Sequence, residues 1–278
     1  MATRDDAPSP LRNEGGNMKT RYLRNAPGLL LALFFAVTGS TAVAADTPAA
    51  KSTRGPITDV WVIWPKPGQS KDFEAGLKAH AAWRKSAGEE FSWSIYQPVV
   101  GANLDFYVIR SEGHNWKEMD AEEAWSAKAK SDDAYEKQVG EHASRAEHYF
   151  SEDDVQHSHW VDSKDYKYFM VTSYRLKSGT RAERMDALNK IQKAVVDTKW
   201  PYPYAIENGV GGKEPMLIVV PMKSYADMAD PEPSLMKVLA KSLGSDAAAT
   251  ETMKHFGASV DQTDSTVYLY RGDLSTPK

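Results

Sequence analysis

The chain has 278 residues, with 34 Lys and Arg against 38 Asp and Glu, and no cysteine. The missing cysteine excludes disulfide staples, thiolate metal centres and a lipid-modified N-terminal cysteine, so stability must come from a buried core. The formal net charge is −4, and it becomes −6 when residues 1–45, with five basic and three acidic side chains, are set aside. That balance argues against nucleic acid or an anionic membrane surface as a partner.

Residues 1–17 read as an unstructured extension or as a stretch upstream of a true start at Met18. Residues 18–45 read as a signal peptide. Lys19, Arg21 and Arg24 form a positive region, residues 28–37 (GLLLALFFAV) form an apolar run of ten, and Ala42-Val43-Ala44 or Val43-Ala44-Ala45 offers the cleavage pattern. Ten apolar residues are too few to span a bilayer, which takes about 18 or more. The expected product is exported, to the periplasm or the extracellular space, and has no membrane attachment after cleavage. Residues 46–56, rich in Ala, Thr, Ser and Pro, read as a linker.

From residue 57 the same order of elements occurs twice, with the second copy lagging by about 110 residues. The first copy, 57–162, opens with a β-branched and aromatic strand at 60–64, stopped by Pro65, Pro67 and Gly68. A helix from Ser70 through Ala87 follows, then strands at 91–96 and 104–109 around a turn. Residues 116–150 read as a polar helical region, because Tyr135, Val139, Ala143, Ala146 and Phe150 recur at helical spacing. A last strand is predicted at 155–161. The second copy, 163–278, opens with a strand at 169–176. Its first helix begins at Thr180, where Thr180 and Glu183 have capping-box spacing, and Leu188, Ile191 and Val195 mark its buried face. Strands at 202–206 and 216–220 flank a glycine-rich hairpin, helical stretches occupy 234–243 and 246–256, and a final strand covers 266–270. Phe91, Trp93 and Ile95 register with Tyr202, Tyr204 and Ile206, and Val100-Gly101 with Val210-Gly211.

Each copy is therefore a β-α-β-β-α-β unit, an antiparallel sheet with helices on one face and a second apolar face that needs a cover. On this pattern the chain resembles the dimeric α+β barrel superfamily, which includes antibiotic-biosynthesis-type monooxygenases, haem-degrading relatives and chlorite dismutase-like proteins. The resemblance implies an α+β fold in which two tandem ferredoxin-like repeats pack sheet to sheet, as an intramolecular version of a barrel usually built by two subunits. It transfers no catalytic residue. In haem-binding branches a proximal histidine lies late in the domain, and His157 or His159 can be compared with it.

Strand alternation places Trp93 and Ile95 with Phe106 and Val108 under the helices. It groups Tyr96 with Asp105 and Tyr107 on the opposite face, a mixture of aromatic and polar groups suited to orienting a ligand. On the predicted strand at 155–161, His157 and His159 share that face, and such a pair is two ligands of a metal site that still lacks a third. The expected ligand-binding set is Tyr96, Asp105, Tyr107, His157 and His159, between the two sheets, with a structural role expected for His80 and water-facing positions for His114, His142, His148 and His255. No residue pattern identifies a cofactor. The favoured reading is an exported soluble protein, a monomer or weak homodimer, that binds a small, largely apolar or aromatic molecule. The alternatives are a cofactor-independent monooxygenase acting on an aromatic substrate and a non-catalytic envelope protein that docks partners on acidic helices.

Overall fold

The computed structural model describes residues 54–162, 165–211 and 215–276. The predicted extension, the signal segment and most of the linker lie outside them. The first half runs β1 (Ile57–Pro65), α1 (Ser70–Ser86), β2 (Ser94–Val100), β3 (Tyr107–His114), α2 (Trp116–Ala129), α3 (Ser131–Gln138) and β4 (Ala143–Asp153). The second runs β5 (Tyr168–Leu176), α4 (Arg181–Thr198), β6 (Ala205–Val210), β7 (Met216–Met222), α5 (Leu235–Leu243), α6 (Asp246–Ala258) and β8 (Val260–Tyr270).

All eight strands pair antiparallel and close into one barrel in the order β1-β3-β2-β8-β5-β7-β6-β4. Within each half the order is last, first, third, second. The last strand of each half then bonds to the second strand of the other, β4 to β6 and β8 to β2. The expected α+β architecture of two ferredoxin-like units is thus observed, and mutual edge pairing leaves no open edge among the described strands.

A barrel with helices outside buries both strand faces, which explains why β1 is a nearly continuous apolar run instead of an alternating one. Its register with β3 pairs Val62 with Val108 and Trp61 with Ile109. Val60, Val62 and Val108 point into the barrel, while Ile63, Ile95, Tyr107, Phe73 and Leu77 form a core under α1. The second half has a larger core, in which Ala187, Leu188, Ile191 and Val195 of α4, Val238 and Leu239 of α5 and Phe256 of α6 cover Tyr204, Ile206 and Met216. At Gly76 of α1 a Cβ would lie 2.0 Å from the Gln138 carbonyl oxygen, so only glycine allows this approach of α1 to the end of α3. After β8 the chain crosses back to the first half. Leu274 enters the core under α1, and the amides of Arg271 and Thr276 donate to the carbonyls of Ile95 and Trp93.

Three local expectations are corrected. The last strand of the first half is β4, Ala143–Asp153, and not 155–161. Lys130 adopts a left-handed conformation (φ 58°) that ends α2, and α3 ends at Gln138; beyond it the chain pairs along the whole of β1, with His148 opposite Trp61 and Phe150 opposite Asp59. Tyr135 lies in α3 and Val139 caps it, but Ala143, Ala146 and Phe150 repeat on a strand, where tertiary pairing decides the conformation. Secondly, Ile95 pairs with Ile109 and Tyr96 with Val108, so Tyr107 shares a face with Ile95 and not with Tyr96. A one-residue offset between strands exchanges the faces of every side chain. Thirdly, Thr180 makes no side-chain cap on α4; its hydroxyl donates back to the Lys177 carbonyl.

Candidate functional site

The structure does not bring the five expected site residues together. Tyr96 points into the barrel, its ring edge-on to Phe169 at 5.2 Å, and burial pushes its hydroxyl pKa up. Tyr107 lies on the other face, where its hydroxyl donates to Glu74 Oε1 at 2.7 Å. Asp105 is on an exposed loop, its amide donating to Asn103 Oδ1. His157 and His159 fall in the turn after β4 instead of on a strand. His157 is 2 % exposed and has both ring nitrogens engaged, Nδ1 with Asp154 at 2.7 Å and Nε2 with Asn189 of α4 at 3.0 Å. His157 therefore pins the turn to α4 and offers no open nitrogen to a metal. His159 makes an isolated antiparallel bridge with Tyr204, and neither histidine lines the cavity described below. Among the described residues no group of three or more His, Asp or Glu side chains is placed to hold a metal ion.

The space between the two sheets, expected to hold the ligand, contains a charged network that joins the halves. Arg110 of β3 donates through Nη2 to both carboxylate oxygens of Glu207 of β6, each at 2.9 Å. Ser151 of β4 donates to Glu207 Oε2 at 2.9 Å, and Glu112 lies 3.4 Å from Arg110 Nε. Asp153 stands beside this cluster. Burial, followed by repulsion from Glu207, pushes its carboxyl up to about 7 from a usual 3.8. A carboxyl with a raised folded-state pKa binds its proton more tightly when folded, so its contribution to stability is present below about pH 4 and is lost as pH rises towards 7. Asp153→Asn should accordingly stabilise the protein by roughly 1–2 kcal/mol at pH 8 and change it little at pH 4. Urea unfolding at the two pH values checks this, and a variant weaker than wild type at pH 8 would contradict it.

The cavity lies on the opposite face of the sheet. It is a half-open cavity with a volume of about 730 Å³, bounded by the first-half sheet and α1, α2 and α3. Its floor is Trp61, Ile63, Ile95, Ile109 and Phe150, and its end wall includes Leu274 from the chain's final segment. The cause is in the helices. Asn115 and Glu118 close a capping box that starts α2, yet α2 buries no residue and α3 buries only Ser131. Polar sequence on α2 thus makes a roof that stands off the sheet, where the second half has apolar α5 and α6 pressed down.

The cavity also holds charge. Arg84 of α1 lies over the rings of Trp93 and Trp125, 4.9 and 5.1 Å from their centroids, and forms ion pairs with Glu89 and Glu122. Burial outweighs the Arg84 charge at Glu122 and pushes that carboxyl up to about 7. His80 is buried and bonded through Nδ1 to Gln138 at 3.0 Å; burial lowers its pKa. At the mouth, His148 Nε2 meets Asp59 Oδ1 at 2.8 Å. The imidazole lies flat on Trp61, with ring centroids 4.1 Å apart, and Phe150 stands edge-on to it at 5.1 Å. Reading 116–150 as helix hid His148. The available signal was Asp59, a lone carboxylate inside the otherwise apolar run of β1, which needs a partner when buried.

A closed barrel of two ferredoxin-like halves defines the dimeric α+β barrel fold, here carried by a single chain. Solved structures with this fold include a candidate monooxygenase from Fusobacterium nucleatum, 6% identical with a TM-score of 0.51 over 79% of this chain and 94% of its own. A mutant chlorite dismutase from Candidatus Nitrospira defluvii, in complex with cyanide, is 9% identical with a TM-score of 0.50 over 80% of this chain and 93% of its own. At such identities the likeness establishes the fold alone. No protein-family model and no curated protein sequence matches the chain.

Proposed function

We propose that this is an exported protein that binds a small, largely apolar or aromatic molecule in the cavity between the first-half sheet and α1–α3. The observation that carries the reading is the inequality of two otherwise equivalent spaces. In the second half the helix–sheet space is filled by Leu188, Val238, Leu239 and Phe256, and in the first it is hollow, walled by Trp61, Trp93, Ile109 and Phe150. Apolar walls with a few convergent polar groups are the usual make-up of a small-molecule site. Export rests on the short apolar run at 28–37, which precedes the described residues, and among the described residues no helix is long and apolar enough to cross a membrane.

Calorimetric titration with 2-methoxynaphthalene, an apolar aromatic probe, tests the site. Wild type should bind it, and Ala81→Trp, which places an indole into the cavity from α1, should weaken binding at least about tenfold while leaving the unfolding midpoint within the usual range for a surface change. Equal affinity in the two proteins would remove the cavity from the account.

A cofactor-independent monooxygenase is the second reading, favoured by the paired His148 and Asp59 at the cavity mouth. It uses the same cavity, and dioxygen consumption in the presence of an electron-rich phenol separates it from binding alone. The third reading loses part of its surface. Residues 143–150, read as part of the polar helical region, belong to strand β4.

A further inference from the structure

We propose that His148 Nδ1 is the recognition group of the cavity, an acceptor for the hydroxyl of a neutral hydroxy-aromatic ligand, and that Asp59 is the positioning residue that makes it one. The inference rests on the cavity reading above and names the ligand class. An ionised Asp59 carboxylate is an acceptor only, so in the neutral imidazole the shared proton lies on Nε2 and the remaining nitrogen, Nδ1, presents a lone pair. Nε2 is held at 2.8 Å, while Nδ1 makes no hydrogen bond to any described residue. Stacking on Trp61 fixes the ring plane, so the Nδ1 direction is set before a ligand arrives. His148 is exposed at the mouth, and its partner Asp59 is 8 % exposed. An aromatic ring lying on the floor formed by Trp61, Ile109 and Phe150 can therefore bring a ring hydroxyl to this nitrogen.

The roof selects the charge state. Asp120, Glu123 and Asp132 line the cavity from α2 and α3, and Arg84 is already committed to Glu89 and Glu122. A carboxylate or a phenolate entering past these groups meets repulsion, and among the described lining residues the one guanidinium, Arg84, is already paired. A neutral molecule with a hydroxyl donor meets the acidic rim without that cost and supplies the one proton that Nδ1 lacks. Asp59 also borders the cavity, and the role assigned to it is to hold His148 through Nε2.

The test compares 2-naphthol with 2-methoxynaphthalene, which differ in the hydroxyl hydrogen, by calorimetric titration of the full chain. Wild type should prefer 2-naphthol on the order of tenfold, the value of one hydrogen bond to an otherwise unpaired acceptor. His148→Phe keeps the stack on Trp61 and removes the acceptor, so it should bind both probes alike, close to the wild-type affinity for the ether. In Asp59→Asn the amide N–H can donate to Nε2, which moves the imidazole proton to Nδ1 and makes it a donor. The preference for 2-naphthol should then disappear while the ether still binds, a change of selectivity that mere loss of packing would not give. Equal binding of both probes by wild type, or a preference that survives in His148→Phe, would overturn the assignment and leave the cavity reading standing. Failure of wild type to bind either probe would overturn both.

Discussion

Replacing Arg110 by Ala should destabilise the protein by about 3–5 kcal/mol, the largest loss expected from any single charged residue in this chain. Arg110 lies inside the barrel and holds both oxygens of Glu207 at 2.9 Å. Its removal leaves Glu207, Glu112 and Asp153 facing one another without the counter-charge that pairs directly with Glu207, in a space where Ser151 is the other donor to Glu207. The cost of such a deletion is mostly that of the stranded carboxylates and not the net worth of the pair. The double variant Arg110→Met with Glu207→Leu should thus recover much of the stability lost by Arg110→Ala, since it strands fewer charges. Urea unfolding of both variants measures the difference. A loss below about 0.5 kcal/mol in Arg110→Ala, the range of an ordinary surface change, would show that the network does not hold the halves together.

Ending the chain at Tyr270 should cost at least about 4 kcal/mol, although it removes no part of any strand or helix. Leu274 is 1 % exposed and sits in the first-half core, distant in sequence from everything it touches. Arg271 donates to the two oxygens of Glu74 on α1 at 2.8 and 3.0 Å. Ser275 Oγ accepts from the Ile95 amide at 2.9 Å, and Thr276 Oγ1 from that of Trp93 at 2.7 Å. Deletion leaves an apolar hole and unpaired amides at Trp93 and Ile95, and both carry known costs. Because Leu274 and Thr276 also line the cavity, the truncated protein should bind 2-methoxynaphthalene more weakly at temperatures where it is still folded. Unchanged thermal unfolding would contradict the role assigned to this segment.

The repeat was legible in the sequence because both copies must solve the same burial problem. Trp93 and Ile95 in one and Tyr204 and Ile206 in the other are all buried beneath helices, which is why aromatic and β-branched residues recur there at period two. Closure into a barrel followed from the apolar second face of each sheet, seen in Val60 and Val62. What the sequence did not disclose depends on partners far along the chain. Residues 143–153 have weak strand preference of their own and become β4 by lying between β1 and β6. The faces of β3 depend on the pairing of Ile95 with Ile109, which no alternation within β3 can specify. Both errors moved the expected site. The first put His157 and His159 on a strand and His148 on a helix, and the second placed Tyr107 beside Tyr96 when they lie on opposite faces. His80 was legible as a buried structural histidine because helical spacing from Leu77 puts it on the packed face of α1, and it is found there bonded to Gln138.

The cavity follows from the same reasoning. An amphipathic helix presses onto a sheet in proportion to the apolar area it offers. α5 and α6 offer Val238, Leu239, Ala249 and Phe256, whereas α2 offers no buried residue. Unequal apolar content of two helical segments in otherwise matching repeats is thus a signal in the sequence for which half is hollow. The most direct measurement of this claim is a crystal structure of the full chain with 2-methoxynaphthalene. The account predicts a ring bound against Trp61, Ile109 and Phe150, under an α2 that stands off the sheet. An α2 packed down onto Trp61 and Ile109 with no space beneath it, or the probe bound inside the barrel beside Arg110, would contradict it.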